Sequence, residues 1–248
     1  MTTKLWRRVS GFGHTIRELG YLDSFLYALA RVFSGLSNNW LRIHKYYLVA
    51  QPVAKKDWLP AQRGKSFEIR QFAEADPLIK QIPRPEFVVP YRFDQGAVCF
   101  GALKAGTLVG FLWITLGPYR EDELRCNYIP LPAGKSAWDF DVYVEAEHRN
   151  GIVFLKLWDA ANRFLAARGF QWSLSRISAF NSGSIMSHSR MSARRIGAIF
   201  FLCLGPWQIA MSTVSPFFHL STNATSFPTY ALNPEKTHRA GSPADASA

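Results

Sequence analysis

Cysteine is scarce in this sequence of 248 residues: Cys99, Cys126 and Cys203 are the only three, an odd number lying far apart. They supply neither a disulfide framework nor metal-ligand spacing, which excludes a stapled secreted scaffold and a zinc module; buried, reduced thiols and no bound metal are expected. No apolar run reaches the length of a membrane span. The start, MTTKLWRRVSGFGHTIREL, lacks the continuous apolar region and small-residue cleavage site of a signal peptide. A cytoplasmic setting is expected, with the inner face of a membrane as an alternative. Acidic residues are also few. Eighteen Asp and Glu oppose 29 Lys and Arg, giving a net charge of +11 and a sequence pI near 9.8. That balance points to an anionic partner: nucleic acid, a membrane surface or a phosphorylated ligand. No helix-turn-helix, zinc or RNA-binding signature accompanies it, so nucleic acid is the weakest of the three. No internal repeat is present.

What the chain does have is apolar content of 48% and aromatic content of 15%, enough for a sizeable core. The length suits one domain with extensions. Residues 1–60 read as a basic, partly helical N-terminal extension, 66–220 as a folded domain, and 221–248 as a disordered tail without periodicity. Within the extension, Leu19, Leu22, Leu26, Leu29 and Phe33 recur at three- and four-residue steps. This spacing predicts an amphipathic helix over 14–36 that either docks on the domain or lies on an anionic membrane.

From residue 66 the pattern is mixed, giving an α+β class. SFEIRQF reads as a strand, AEADPLIKQI as a short helix, and AVCFGAL and TLVGFLWITL as a hairpin joined by KAG. The stretch PYREDELRCNYIPLPAGKS reads as a polar loop, with a short strand inside it as an alternative; its Glu121, Asp122 and Glu123 form a solvated run or a lure for a cationic amine. AWDFDVYVE reads as a strand with Asp139, Asp141 and Tyr143 on one face. A helix follows through FLKLWDAANRFLAARG, ended by Gly169. FQWSLSRISAF is a strand, NSGSIMSHSRMSA a helix capped by Asn181, and RIGAIFFLCL and WQIAMSTV are two further strands.

Between the central strand and its helix stands HRNG, His148 to Gly151. A helix start exposes unpaired backbone N–H groups and the positive end of the dipole, and both favour an anion. Gly151 permits a close backbone approach, and Arg149 carries a forked donor suited to phosphate. The alternative is an ordinary strand-to-helix turn.

The element order, with VYVEAEHRNGIVFLKLW at the central junction and NSGSIMSHSRMSARRIG later, resembles the GNAT N-acyltransferase superfamily over about residues 66–215. The resemblance implies a central mixed, mostly antiparallel sheet with flanking helices, and acyl transfer to an amine. The donor implied is acetyl-CoA or another acyl-CoA. Its pyrophosphate would be held by Arg149, Asn150, Gly151, Ile152 and Val153, with charge from His148 or Arg149. A backbone N–H around Tyr143 or Val144 would polarise the thioester carbonyl. In the second motif Asn181, Ser184 and His188 fall in register, with His188 where the family has tyrosine; that register makes His188 the proton donor to the leaving thiolate. Candidate bases are Asp139, Asp141 and Glu145, any of which could instead be an ion-pair partner. The acceptor class that follows is a primary amine of a small molecule or of an envelope or polysaccharide precursor. Two other readings stay open: a transferase using long-chain acyl-CoA or acyl carrier protein, and a non-catalytic scaffold of the same fold.

Overall fold

The computed structural model describes residues 21, 23–31, 33, 35, 40–149 and 151–236. Helical residues within 21–35 form α1. Then come β1 (Leu41–Pro52), β2 (Glu68–Phe72), α2 (Val88–Asp94), β3 (Val98–Lys104), β4 (Thr107–Thr115), β5 (Tyr119–Arg120) and β6 (Asn127–Pro130). The rest are β7 (Ser136–Val144), α3 (Ile152–Ala166), β8 (Trp172–Ser178), α4 (Ser182–Arg190), β9 (Arg194–Leu204), β10 (Trp207–Ser212), β11 (Phe218–Ser221) and β12 (Thr229–Leu232). One-turn 3-10 segments occupy Pro77–Gln81 and Ala146–His148. The class is mixed α+β, with a large, mostly antiparallel sheet flanked by helices.

The chain divides into two compact units, one of Met1–Val49 with Arg176–Tyr230, the other of Ala50–Ser175 with Ala231–Ala248. In the second unit the strand order is β2-β3-β4-β7-β8, antiparallel except for the parallel pair β7–β8. β4 is buried at every residue after its first, as its unbroken apolar run TLVGFLWIT requires. Its turn from β3 has two residues, Ala105 and Gly106, both at positive φ, the geometry a tight hairpin needs. Helix α3 packs on β3, β4 and β7. Val153, Leu157, Trp158, Ala161 and Leu165 form its buried stripe at helical spacing. Gly110 on β4 makes the close approach feasible: a Cβ there would stand 2.9 Å from the Tyr143 carbonyl oxygen and 3.0 Å from Val153 Cγ1.

A strap of residues 54–67 runs along α3. The Trp58 N–H donates to Asp159 Oδ1 at 2.7 Å, the Leu59 N–H to Asp159 Oδ2 at 3.3 Å, and the Ala54 N–H to Asn162 Oδ1 at 3.2 Å. Further along, Lys156 Nζ donates to the carbonyls of Gly64 and Phe67, each at 2.9 Å.

In the first unit the order is β11-β10-β9-β1-β8. The register places Leu204 beside Trp207, Ile209 between Leu202 and Leu220, and Met211 between Phe200 and Phe218. These side chains share one face, and Cys203, Gln208, Phe201 and Ala210 fill the buried opposite face. Helix α1 docks on this unit: the Asp23 carboxylate is buried and takes hydrogen bonds from Lys45 Nζ and Tyr47 Oη, and Tyr27 meets Phe180 at 5.5 Å between ring centroids. The predicted helix start at 14–20 lies outside the described residues.

Several expectations are corrected. Residues 1–60 contain the strand β1, which the basic composition of that region conceals. The region 221–248, read as tail, includes strand β12, whose Leu232 carbonyl accepts from the Leu131 N–H at 2.8 Å; residues 237–248 lie outside the described ones. The predicted helix in 73–82 is only the 3-10 turn Pro77–Gln81, capped by Asp76. Helix α2, which follows directly on the proline-containing stretch PRPEF of residues 83–87, was not anticipated. The loop after β4, where one short strand was an alternative, carries two, β5 and β6.

Candidate functional site

β7 pairs with β8 over Ser136–Trp138 and Trp172–Leu174. Asp139 follows directly. Its carboxylate is 1% exposed and accepts a hydrogen bond from Ser173 Oγ at 2.6 Å. Burial pushes its pKa up to about 7, against the opposing pull of hydrogen bonds from Ser173 and Ser175.

Asp141 is placed differently. The register between β4 and β7 shifts between Phe111 and Trp113, so that two β7 residues, Asp141 and Val142, stand against Leu112, and Asp141 takes φ +48°. Such a bulge puts consecutive side chains on one side. Phe140 and Asp141 both meet Arg92, whose guanidinium lies 5.2 Å from the Phe140 ring centroid and whose Nη1 donates to Asp141 Oδ2 at 2.5 Å. The expectation that Asp139 and Asp141 share a face is therefore corrected: strand alternation sends Phe140 opposite to Asp139, and the bulge sends Asp141 with Phe140.

The role expected of Asp141 changes with its place. Arg84 forks onto the same carboxylate, with Nε to Oδ2 at 2.8 Å. Arg92, 3% exposed, reaches Asp122 Oδ2 through Nε at 2.7 Å. Burial opposes the Arg92 charge, but Asp141 and Asp122 raise its pKa overall. Asp141 is a counter-ion shared by two guanidiniums. Asp122 is likewise no part of a solvated acidic run, and Glu121 is buried as well.

β7 ends at Val144. The chain makes its 3-10 turn through His148, and Arg149 Nε folds back to donate to the Val144 carbonyl at 2.8 Å. Its guanidinium carbon lies 6.0 Å from the Tyr143 ring centroid. Asn150 lies outside the described residues. Gly151 has φ +89° and precedes α3, and a Cβ added to it would meet nothing within 4 Å. Ile152 starts the helix. Val153 turns its side chain fully inward onto Gly110, so its side chain belongs to the core and only its backbone faces the junction. His148 meets Phe67 edge to face at 5.6 Å. Together with Lys104, Thr107, Leu108, Glu145 and Glu147 it lines a cavity of about 460 Å³. A second cavity of about 680 Å³ is walled by Ile79, Ile82 and Val89, with Glu74, Asp76, Lys80, Arg84 and Glu86 at its polar side.

The other expected residues belong to the first unit. Asn181 caps α4 by accepting the Ser184 N–H at 3.0 Å. His188 is 3% exposed, and burial pushes its pKa down to about 4. The expectation of an imidazolium donor near neutral pH is corrected: desolvation keeps this ring neutral there. Among the described residues no group of three or more His, Cys, Asp and Glu is placed to hold a metal ion, and no helix is long and apolar enough to cross a membrane. The three cysteines are buried, and none is in a disulfide.

Sequence reasoning missed Arg84 and Arg92. The only signal was their position around a proline-rich break, PRPEFVVPYRF, which is a weak one.

No family model and no curated protein matches this chain. Several solved structures do. One is a functionally unknown conserved protein from Staphylococcus epidermidis, at 9% identity and a TM-score of 0.45 over 69% of this chain and 65% of that one. Another is an aminoglycoside acetyltransferase from an uncultured soil metagenomic sample, solved with trehalose, at 19% identity and 0.38 over 52% and 88%. A third is a tandem GNAT protein from the clavulanic acid biosynthesis pathway, at 12% identity and 0.42 over 66% and 55%. The match spans less than two thirds of the first and third of these chains. Likeness at these values assigns neither a reaction nor a substrate.

Proposed function

We propose that the chain is an acyl-CoA-dependent N-acyltransferase that moves an acetyl group to a primary amine of a small molecule or of an envelope or polysaccharide precursor. The observation that carries this reading is the junction from Val144 to Ile152. A buried strand ends in a tight turn, His148 and Arg149 bring basic side chains, and Gly151 leaves open space ahead of a fifteen-residue helix. Helix-start N–H groups and the dipole favour a pyrophosphate there, and the glycine lets it approach the backbone. Asn150 and Ile152 would contribute backbone donors.

In the reaction the amine nitrogen attacks the thioester carbonyl carbon, the C–S bond breaks, and the ammonium proton must leave. A backbone N–H near Tyr143 or Val144 would stabilise the oxyanion, an effect worth about 3 kcal/mol for one donor. Asp139 suits the proton acceptor by its pKa, working through its hydrogen-bonded serines or water because it is buried; Glu145, exposed at the end of β7, is the other candidate. A thiolate with a parent pKa near ~8.5 leaves near neutral pH and takes its proton from water.

Calorimetry with acetyl-CoA, longer acyl-CoAs and free CoA tests the reading. Wild type should bind, and Gly151→Trp, which fills the open space, should not. Absence of binding to every CoA derivative, or equal binding by Gly151→Trp, removes the site. Preference for a long chain replaces the acetyl donor with a greasier one.

A further inference from the structure

The strands β9, β10 and β11 present an apolar face to solvent. Trp207 is 56% and Phe218 61% exposed, Met211 and Leu220 are exposed beside them, and Leu202 and Ile209 lie half-buried between. The strand register puts all six on the same side, and none of them carries charge. A contiguous apolar face of this kind marks an interaction surface.

Charge decides what covers it. Among the described residues, the unit that contains these strands has seven Lys and Arg, at positions 31, 42, 45, 176, 190, 194 and 195, against one acidic residue, Asp23. Between Asp159 and Glu235 the sequence has no Asp or Glu at all, and β9 itself begins with Arg194 and Arg195. A second copy of so cationic a unit is repelled. A nucleic acid would answer the charge but has no greasy surface on which to bury Trp207, Met211, Phe218 and Leu220. A bilayer with anionic headgroups answers both, since its interface accepts Trp and Phe and its surface potential draws in Lys and Arg.

We propose that the β9–β11 face is a docking surface for an anionic lipid bilayer. The anchor is the sheet face and not α1, whose Asp23 is buried against Lys45 and Tyr47. The proposal is independent of the acyl-transfer reading.

Flotation of the full chain with vesicles tests it. Wild type should float with vesicles of phosphatidylcholine and phosphatidylglycerol, less so at high salt, and much less with phosphatidylcholine alone. The double variant Trp207→Ser/Phe218→Ser should lower the partition by about tenfold or more, because membrane binding scales with buried apolar area. Phe25→Ser on α1 should leave it unchanged. If the first double variant loses its cooperative melt, Met211→Ser/Leu220→Ser makes the same test. The proposal fails if wild type stays out of the mixed vesicles, if it floats equally with phosphatidylcholine alone, or if the folded double variant floats as wild type does. It also fails if Phe25→Ser abolishes flotation. Sedimentation velocity showing a dimer that Trp207→Ser/Phe218→Ser splits, without vesicle binding, would assign the face to a second copy instead.

Discussion

Asp141 Oδ2 and Arg92 Nη1 lie 2.5 Å apart, joining a bulge on β7 to helix α2 with both side chains largely buried. The pair is part of a chain of charges. Arg84 reaches Asp141, Arg92 reaches Asp122, and Tyr119 donates to the same Asp122 oxygen at 3.3 Å. Aromatic rings insulate it, with Arg92 over Trp113 at 5.4 Å and over Phe140 at 5.2 Å.

Removing Arg92 should therefore be destabilising. Arg92→Met keeps some of the apolar stem but leaves Asp122 without its guanidinium and Asp141 with one instead of two. Breaking a buried pair in this way costs roughly 3–5 kcal/mol. Urea denaturation of Arg92→Met checks it, and a loss below about 1 kcal/mol would class the pair with surface ion pairs.

The strap along α3 depends on one carboxylate. Asp159 accepts from two consecutive backbone N–H groups, those of Trp58 and Leu59. Asp159→Ala leaves both donors without that acceptor, a cost of about 1–3 kcal/mol. The loss should be local. Amide exchange and proteolytic nicking should rise within residues 54–67 while β3 and β4 stay protected. Uniform loosening across the whole unit would show that the strap is not a separable element.

How much of this was legible in the sequence follows from periodicity. β3, β4, β7 and α3 were readable because long apolar runs or helical spacing dominate them. β1 was not, although Ile43, Tyr46, Tyr47 and Val49 are strand formers, because Arg42 and Lys45 fall among them in a basic stretch. The strand-to-helix junction at Gly151 was readable because a glycine ahead of an apolar run at helical spacing marks a helix start. The bulge was not: DFDVY alternates as a regular strand would, and only the partner strand shows that an extra residue is present. The burial of His188 was equally hidden, because α4 is polar along most of its length, SGSIMSHSR. Tertiary packing alone takes that ring out of water.

The buried His188 and Asp139 make opposite demands on pH. His188 has a folded pKa of about 4 against an ordinary 6.5, so the unfolded chain binds more protons between these values. Its contribution is fully present above about pH 6.5 and is lost as pH falls toward 4, a cost of roughly 3 kcal/mol at most. Asp139 has a folded pKa of about 7 against an ordinary 3.8, so here the folded chain binds more protons. Its contribution is present below about pH 4 and is lost as pH rises through 7. His188→Gln should flatten the acid side of the stability profile, and Asp139→Asn should flatten the side that falls toward pH 7. At pH 8 Asp139→Asn should be at least as stable as wild type, since the amide needs no buried charge. Urea melts of the wild type and both variants between pH 4 and 8 provide the check. An acid limb that persists in His188→Gln would mean that other groups set it. A less stable Asp139→Asn at pH 8 would mean that the ionised carboxylate, held by Ser173 and Ser175, is the form the fold prefers.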